Sequence, residues 1–277
     1  MHPFLGGFVE RRDRTPVGQS LELPVVRPLL HVTLGADYSF ARDGRFEAMP
    51  PLSLWGFNSR TRVTRPAGRI HAFVAVLTYR GAELLAPEAP LSANGHWVDL
   101  IDRLGDEGSR LLHSLRTARG FAERRAILQA FFAERARSPL AIPTSRAHQV
   151  ADRIAASEVK GPVAAVAQRA GMSERGLRAQ FRARLGVSPK RMLRIARLNR
   201  AMRALNPHGW GDGEPGDVRL EFFDDAHFHN EFRQLTGLTP RAFHRHKRER
   251  GDTLVYSLPG ASTVRSTGAN NMPNGGA

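Results

Sequence analysis

Apolar positions recur along this chain with two different periods, and the change of period divides it. From about Leu21 to Leu77, runs rich in Val, Leu and Phe (Leu23 to Leu34, Pro51 to Phe57, Ile70 to Thr78) alternate with the turn signals Gly35-Ala-Asp37, Asp43-Gly44 and Pro66-Ala-Gly68. That pattern predicts a small antiparallel β domain. Between Ser92 and Arg137 the spacing becomes helical. Trp97, Leu100, Ile101 and Leu104 share one helical face, Leu111, Leu112 and Leu115 a second, and Phe121, Ile127, Leu128, Phe131 and Phe132 a third. An aromatic-rich stripe of this kind is core rather than a ligand box, so no site is assigned to it. The stretch from Ser138 to Ser145, with Pro139 and Pro143, breaks every period and reads as a linker.

Everything after the linker that has a period has the helical one. Ala147 to Ser157 carries Val150, Ile154 and Ala155 on one face, and Val163, Val166, Ala167 and Ala170 form the next stripe, closed by Gly171. Met172 fills a turn, and Ser173 is placed to accept from the free amides of a helix whose apolar positions are Leu177, Phe181 and Leu185. Gly186 ends it. A third helix starts with Ser188 as cap and Pro189 in the first turn, where its missing N–H is harmless. It continues through Met192, Ile195, Met202 and Leu205 to a stop at Asn206-Pro207. Two short helices joined by a tight glycine-containing turn match the DNA reader whose second helix enters the major groove.

The 277 residues, 41% of them apolar, are enough for two domains of ordinary size. No window approaches 18 uncharged apolar residues, so no membrane span is predicted, and the opening MHPFLGGFVERRDR does not have the charge order of a secretory signal. The chain contains no cysteine, which excludes disulfides, a cysteine nucleophile and thiolate metal sites, and fits a reducing cytoplasm. A formal net charge of +15 points to an anionic partner. The charge is concentrated: from Lys160 to Arg203 there are twelve basic residues and one acidic residue, Glu174. A solvated face usually mixes signs, so the run favours nucleic acid.

Here the sequence resembles a known family. The run VAAVAQRAGMSERGLRAQFRARLGVSPKRMLRIARLNRAMRAL, Val163 to Leu205, is similar to the first half of the AraC/XylS-type regulator domain, in which one long helix joins two helix-turn-helix units. FFDDAHFHNEFRQLTGLTPRAFHRH, Phe222 to His246, resembles that family's second-unit signature. The resemblance covers about 100 residues, and two separate motifs in the right order make it specific. Periodicity, composition and this resemblance together predict an α+β protein: residues 1–137 a β-rich sensor or oligomerisation domain with following helices, 138–146 a linker, 147–250 an all-α tandem helix-turn-helix domain, and 251–277, rich in Gly, Ser, Asn and Thr, a disordered tail. The resemblance implies a bacterial, cytoplasmic, sequence-specific transcriptional regulator acting on double-stranded promoter or operator DNA. RNA polymerase, a homodimeric partner and a small-molecule effector of unspecified identity are the further partners the resemblance suggests. The stretch PLSLWGFNSRTRVTRPAGRIHAFVAVLTYRGAELL resembles, more loosely, the N-terminal module of some of these regulators.

Excluding the Leu177/Phe181 stripe leaves Arg175 and Arg178 for base edges, since arginine reads guanine bidentately, and Arg182 and Arg184 for phosphates. On the long helix, Lys190, Arg191, Arg194, Arg197, Arg200 and Arg203 either hold phosphates or form a solvated face. In the second unit Phe228 and Phe232 are the core stripe. By resemblance to the family, His227 is a backbone or groove-edge contact, and Asn230 and Arg233 complete the DNA-facing set.

The second unit departs from the family pattern: Gly213, Pro215 and Gly216 fall in its supporting helix, Glu221 stands where the turn glycine is expected, and from Ala204 to Arg250 there are seven basic and eight acidic residues. The first unit is therefore expected to supply most of the affinity, with Asp224 and Asp225 alternatively serving only as caps.

No catalytic residue, cofactor or metal is predicted. His227, His229, His244 and His246 have no carboxylate cluster or cysteine to complete a site, and no phosphate loop or nucleophile elbow occurs. The competing reading is a non-specific architectural nucleic-acid-binding protein.

Overall fold

A computed structural model describes residues 3–12, 19–42, 44–86, 97–137, 145–204, 225–243, 245 and 264–267. The N-terminal half is built on two sheets, antiparallel except where β10, from residues 264–267, joins the larger one. The larger has strand order β10-β1-β8-β3-β6-β9, from Leu5–Arg12 (β1), Leu29–Thr33 (β3), Leu52–Trp55 (β6), His71–Leu77 (β8), Trp97–Asp99 (β9) and Val264–Thr267 (β10). The smaller has the order β2-β7-β4-β5, from Ser20–Glu22 (β2), Tyr38–Arg42 (β4), Arg45–Ala48 (β5) and Arg62–Pro66 (β7).

Strand β8 shows why the larger sheet holds together. Its side chains alternate by the two-residue period, with Ala72, Val74 and Val76 facing a core that includes Tyr38, Phe40 and Trp55, and Phe73, Ala75 and Leu77 facing the helices. Both faces are covered, so the strand reads as a continuous apolar run rather than an alternating one. The helical cover consists of Tyr79–Leu85 (α1), Leu100–Leu104 (α2), Asp106–Thr117 (α3) and Phe121–Arg137 (α4), whose Leu111, Leu112, Leu115, Leu128 and Phe132 are buried against Phe4, Phe8 and Phe73. Helix α1 starts at Thr78, whose hydroxyl accepts from the Gly81 amide at 3.0 Å. Gly81 is required there, since a Cβ would lie 2.3 Å from the Phe4 carbonyl oxygen.

Two expectations change. Trp97 belongs to edge strand β9, where it pairs with Trp55, and the helix begins only after Asp99, whose carboxylate accepts from the amide of Ile101 at 2.8 Å. A strong N-cap at Asp99 wins over the helical spacing of Trp97. Within the tail expected to be disordered, Val264–Thr267 instead pairs in parallel with β1. The linker residues 138–144 and the supporting helix with Gly213, Pro215, Gly216 and Glu221 lie outside the described residues, as do Leu205, Asp224, His244 and His246.

The C-terminal half is helical: Arg146–Ala155 (α5), Val163–Arg169 (α6), Glu174–Leu185 (α7), Pro189–Ala204 (α8) and Asp225–Thr236 (α9). Helices α5 to α8 enclose one core, which includes Val150, Ile154, Val166, Leu177, Phe181, Leu185, Met192 and Ile195. The same core takes in Val26, Phe57 and Tyr79 from the N-terminal half. A second, smaller core holds Leu198, Met202, Phe232 and Phe243. Helix α8 thus serves both cores with different faces, and the single stripe expected from Met192 to Met202 divides between them.

Candidate nucleic-acid interface

The first reading unit is assembled as its residues dictate. Gly171 closes α6 at φ 62° and Gly186 closes α7 at φ 64°, both in the left-handed region that glycine tolerates. The Ser173 hydroxyl accepts from the Gly176 amide at 3.0 Å, satisfying a donor at the start of α7. Leu177, Phe181 and Leu185 have no solvent exposure and fix the helix's rotation. Arg175, Arg178 and Arg182 therefore stand exposed on the opposite surface.

That surface borders an open groove of about 620 Å³, lined by Lys160, Glu174, Arg178, Lys190, Arg197 and Arg200 among others. One carboxylate among these five cations leaves a positive field at the N-terminal end of the reader helix, where the helix dipole adds to it. Arg178 pairs with Glu174 one turn earlier on the exposed surface. Such a pair is weak in water, and it holds the guanidinium beside the groove without neutralising the patch.

The turn after the first unit recurs in the second. Ser188 accepts from the Arg191 amide at 3.2 Å to start α8, and Thr239 accepts from the Ala242 amide at 3.1 Å to start the helical turn at residues 240–243. Gly237 adopts φ 75°, as Gly186 adopts φ 64°. One capped turn thus occurs twice, once after α7 and once after α9, with the same pattern of single hydrogen bonds. On α9, His227, His229, Asn230 and Arg233 are exposed, opposite the buried Phe232.

On the long helix Lys190 stays exposed beside the groove, whereas Arg191, Arg194 and Arg197 have partners within the protein. Arg194 donates to the Glu231 carboxylate at 2.8 Å, and Arg197 donates to the other oxygen of the same group. Glu231 is 5% exposed, so two arginines on α8 hold α9 by a buried carboxylate. Sequence spacing within α8 gives no sign of this, because the partner lies 34 to 37 residues away. Arg191 is half-buried and donates to the Ser59 hydroxyl of the N-terminal half at 2.6 Å. Arg184 is exposed, with its guanidinium 3.7 Å from Glu83 of the N-terminal half. The structure thus groups Arg175, Arg178 and Arg182 on the open face and turns Arg184 and Arg191 toward the other half.

The seam between the halves is rich in ionisable groups. Asp152 on α5 accepts from the Tyr79 amide at 3.1 Å and faces Arg27 at 3.5 Å. Burial pushes its carboxyl up to about 6, against the opposing pull of Arg27 and the Tyr79 amide. Arg27 is 1% exposed, and burial lowers its pKa in turn. His148 lies 3.1 Å from Glu83. Burial, followed by the charges of Arg184 and Arg80, holds the imidazole down at about 4, while burial raises Glu83. Burial therefore works against the charged form of each group in this close pair.

Among the described residues no group of three or more His, Asp or Glu side chains is arranged to hold a metal ion, and no helix is long and apolar enough to cross a membrane.

Residues 166–246 match the family model described as a helix-turn-helix domain. No curated protein matches the chain. Among solved structures it is similar to ToxT from Vibrio cholerae O395 bound to (E)-4-(8-methylnaphthalen-1-yl)but-3-enoic acid, with 10% identity, 86% of this chain and 97% of that one covered, and a TM-score of 0.49. It is also similar to unsaturated fatty acid bound wild-type ToxT from Vibrio cholerae strain SCE256, with 11% identity, coverage of 87% and 94%, and a TM-score of 0.47. The AraC-like transcriptional activator CuxR matches at 16% identity over 64% of this chain and 68% of its own, with a TM-score of 0.23.

Proposed function

Starting from a chain that carries an AraC-type helix-turn-helix domain over residues 166–246, we propose that it reads double-stranded promoter DNA through two units, α7 in the first and α9 in the second. The observation that carries this reading is the exposed Arg175/Arg178/Arg182 surface on a capped helix whose other face is fully buried, beside a cationic groove of about 620 Å³. A buried stripe fixes which side chains reach out, and the positive field selects a polyanion. Arg175 and Arg178 take the base edges and Arg182 the phosphates. His227, Asn230 and Arg233 are the outward set of the second unit. Arg184 and Arg191 belong to the seam with the N-terminal half in the free protein.

The N-terminal half, residues 1–137, is the regulatory part in this reading, and residues 147–250 are the reading part. The protein is a bacterial cytoplasmic regulator rather than an enzyme, acting with RNA polymerase at its promoters. A small-molecule effector, or a change between monomer and homodimer, acts by altering the seam at Arg27, Tyr79, Glu83, His148 and Asp152.

Hydroxyl-radical footprinting of the full-length protein on an enriched duplex tests the tandem reading. Two protected windows about one helical turn apart are expected. Uniform protection with no preferred register supports the architectural alternative instead.

A further inference from the structure

The small core around α9 is not made by the helical half alone. Leu23, from the N-terminal half, is 1% exposed and packs in the cluster of Leu198, Met202, Phe232 and Phe243. Next to it, Asn199 on α8 is also 1% exposed, and both ends of its amide are used by the same strap. Its Nδ2 donates to the Pro24 carbonyl at 2.6 Å, and its Oδ1 accepts from the Val26 amide at 3.2 Å. A buried primary amide with two backbone partners fixes a position more tightly than apolar contact does, because a displaced strap leaves both ends unsatisfied.

The strap is itself anchored. Val25 and Asn58 exchange backbone hydrogen bonds at 2.9 and 3.1 Å, and the Asn58 side chain donates to the Leu23 carbonyl at 3.3 Å. The loop that begins at Asn58 then reaches the second unit directly. The Thr61 hydroxyl donates at 2.6 Å to the carbonyl of Thr236, the last residue of α9. Carbonyls in the last turn of a helix have no partner within it, so Thr61 supplies a C-terminal cap from another part of the chain.

We infer that Leu23 and Asn199 are positioning residues for the second DNA-reading unit: the 23–26 strap and Thr61 of the N-terminal half complete the core and the end of α9, so α9 presents its reading face only while that half is docked. This rests on the proposed DNA-reading function for its consequence and on the packing alone for its structural content. It makes the N-terminal half a structural component of the second reader. It also couples the seam to the two readers unequally: the strap gives the core of α7 one side chain, Val26, beside Phe57 and Tyr79, whereas α9 takes from the N-terminal half both Leu23 and the Thr61 cap.

The test uses full-length protein carrying Leu23→Ala, Leu23→Ile or Asn199→Ala, with two readouts. Amide hydrogen exchange is followed in α7 and α9, and footprinting on the enriched duplex follows the two windows. Leu23→Ala is expected to speed exchange in α9 by about 30-fold or more, the usual scale for emptying a buried leucine site, and Asn199→Ala by about tenfold. Amides of α7 are expected to accelerate clearly less than those of α9, because the strap gives the α7 core only Val26 while the core around α9 holds Leu23 itself. The window read by α9 is lost while that read by α7 remains, and Leu23→Ile restores both readouts.

Unchanged α9 exchange in both truncations overturns the inference, and so does equal acceleration of α7 and α9, which marks general destabilisation. If no form of the protein protects any window, the DNA-reading proposal falls, and the exchange readout still decides whether Leu23 and Asn199 position α9.

Discussion

Replacing Phe181 by alanine removes the largest fully buried side chain of the first reading unit. Phe181 has no solvent exposure and sits with Leu177, Leu185, Val166, Met192 and Ile195, so its truncation leaves a cavity that α6 and α8 cannot both close. Phenylalanine-to-alanine changes in such sites cost about 3–5 kcal/mol. That is a large part of the roughly 5–15 kcal/mol that holds a domain folded. Arg182 is the adjacent residue on the helix and is exposed, so Arg182→Ala should change stability by about 0.5 kcal/mol or less.

Urea denaturation followed by circular dichroism separates the two. Phe181→Ala is expected to move the midpoint down sharply and to lose duplex binding with it, whereas Arg182→Ala keeps the midpoint and weakens binding only. A Phe181→Ala protein with an unchanged midpoint would refute the assignment of the buried stripe and, with it, the choice of outward residues.

Three further outcomes follow from particular contacts. Arg178→Ala should relax preference at one base pair and cost about 1–3 kcal/mol on the preferred duplex, while Arg182→Ala should weaken all duplexes alike and reduce the log–log salt slope by about one; anisotropy titrations at several salt concentrations distinguish them. Glu231→Ala leaves Arg194 and Arg197 without their shared carboxylate; because these guanidiniums are 40% and 27% exposed, a loss of about 1–2 kcal/mol is expected, below the range for fully buried pairs, and thermal melting measures it. Asp152 is raised from 3.8 to about 6 in the folded protein, so its contribution is fully present below pH 4 and is lost as pH rises through 6, by at most roughly 3 kcal/mol. Asp152→Asn removes that titration, and the stability difference between parent and variant should shift in the variant's favour between pH 4 and 7; a pH-independent difference would show that Asp152 is not buried at the seam.

The parts of this molecule that were legible in its sequence are those governed by local rules. Ser173, Gly171 and Gly186 cap and close helices because orphan amides and left-handed backbone select those residue types, and Leu177, Phe181 and Leu185 reveal the buried face by spacing alone. The same local rule operates twice, since Gly186-Val-Ser-Pro189 and Gly237-Leu-Thr-Pro240 carry the same residue types at the same spacing. Strand β1, Leu5–Arg12, was not read as a strand, since Gly6-Gly7 and the charged end mask an apolar alternation that appears only once β8 is beside it.

Contacts between the halves left no periodic trace. Asn199 meets Pro24 across 175 residues, and Arg191 meets Ser59 across 132. For the same reason Arg194 and Arg197 read as phosphate or solvent residues, when the fold turns them onto Glu231. Charge composition marked the basic stretch as a whole, and only tertiary packing separates its exposed cations, Arg175, Arg178 and Arg182, from those held by internal partners, Arg194 and Arg197.

The most direct test of the central reading is selection of random duplex DNA by the purified full-length protein at near-physiological salt, followed by sequencing. A bipartite motif whose halves lie about one helical turn apart is the predicted result, with the stronger half assigned to α7 by its loss in Arg178→Ala. Recovery of duplexes with no enriched sequence at all would contradict sequence-specific reading by these two units.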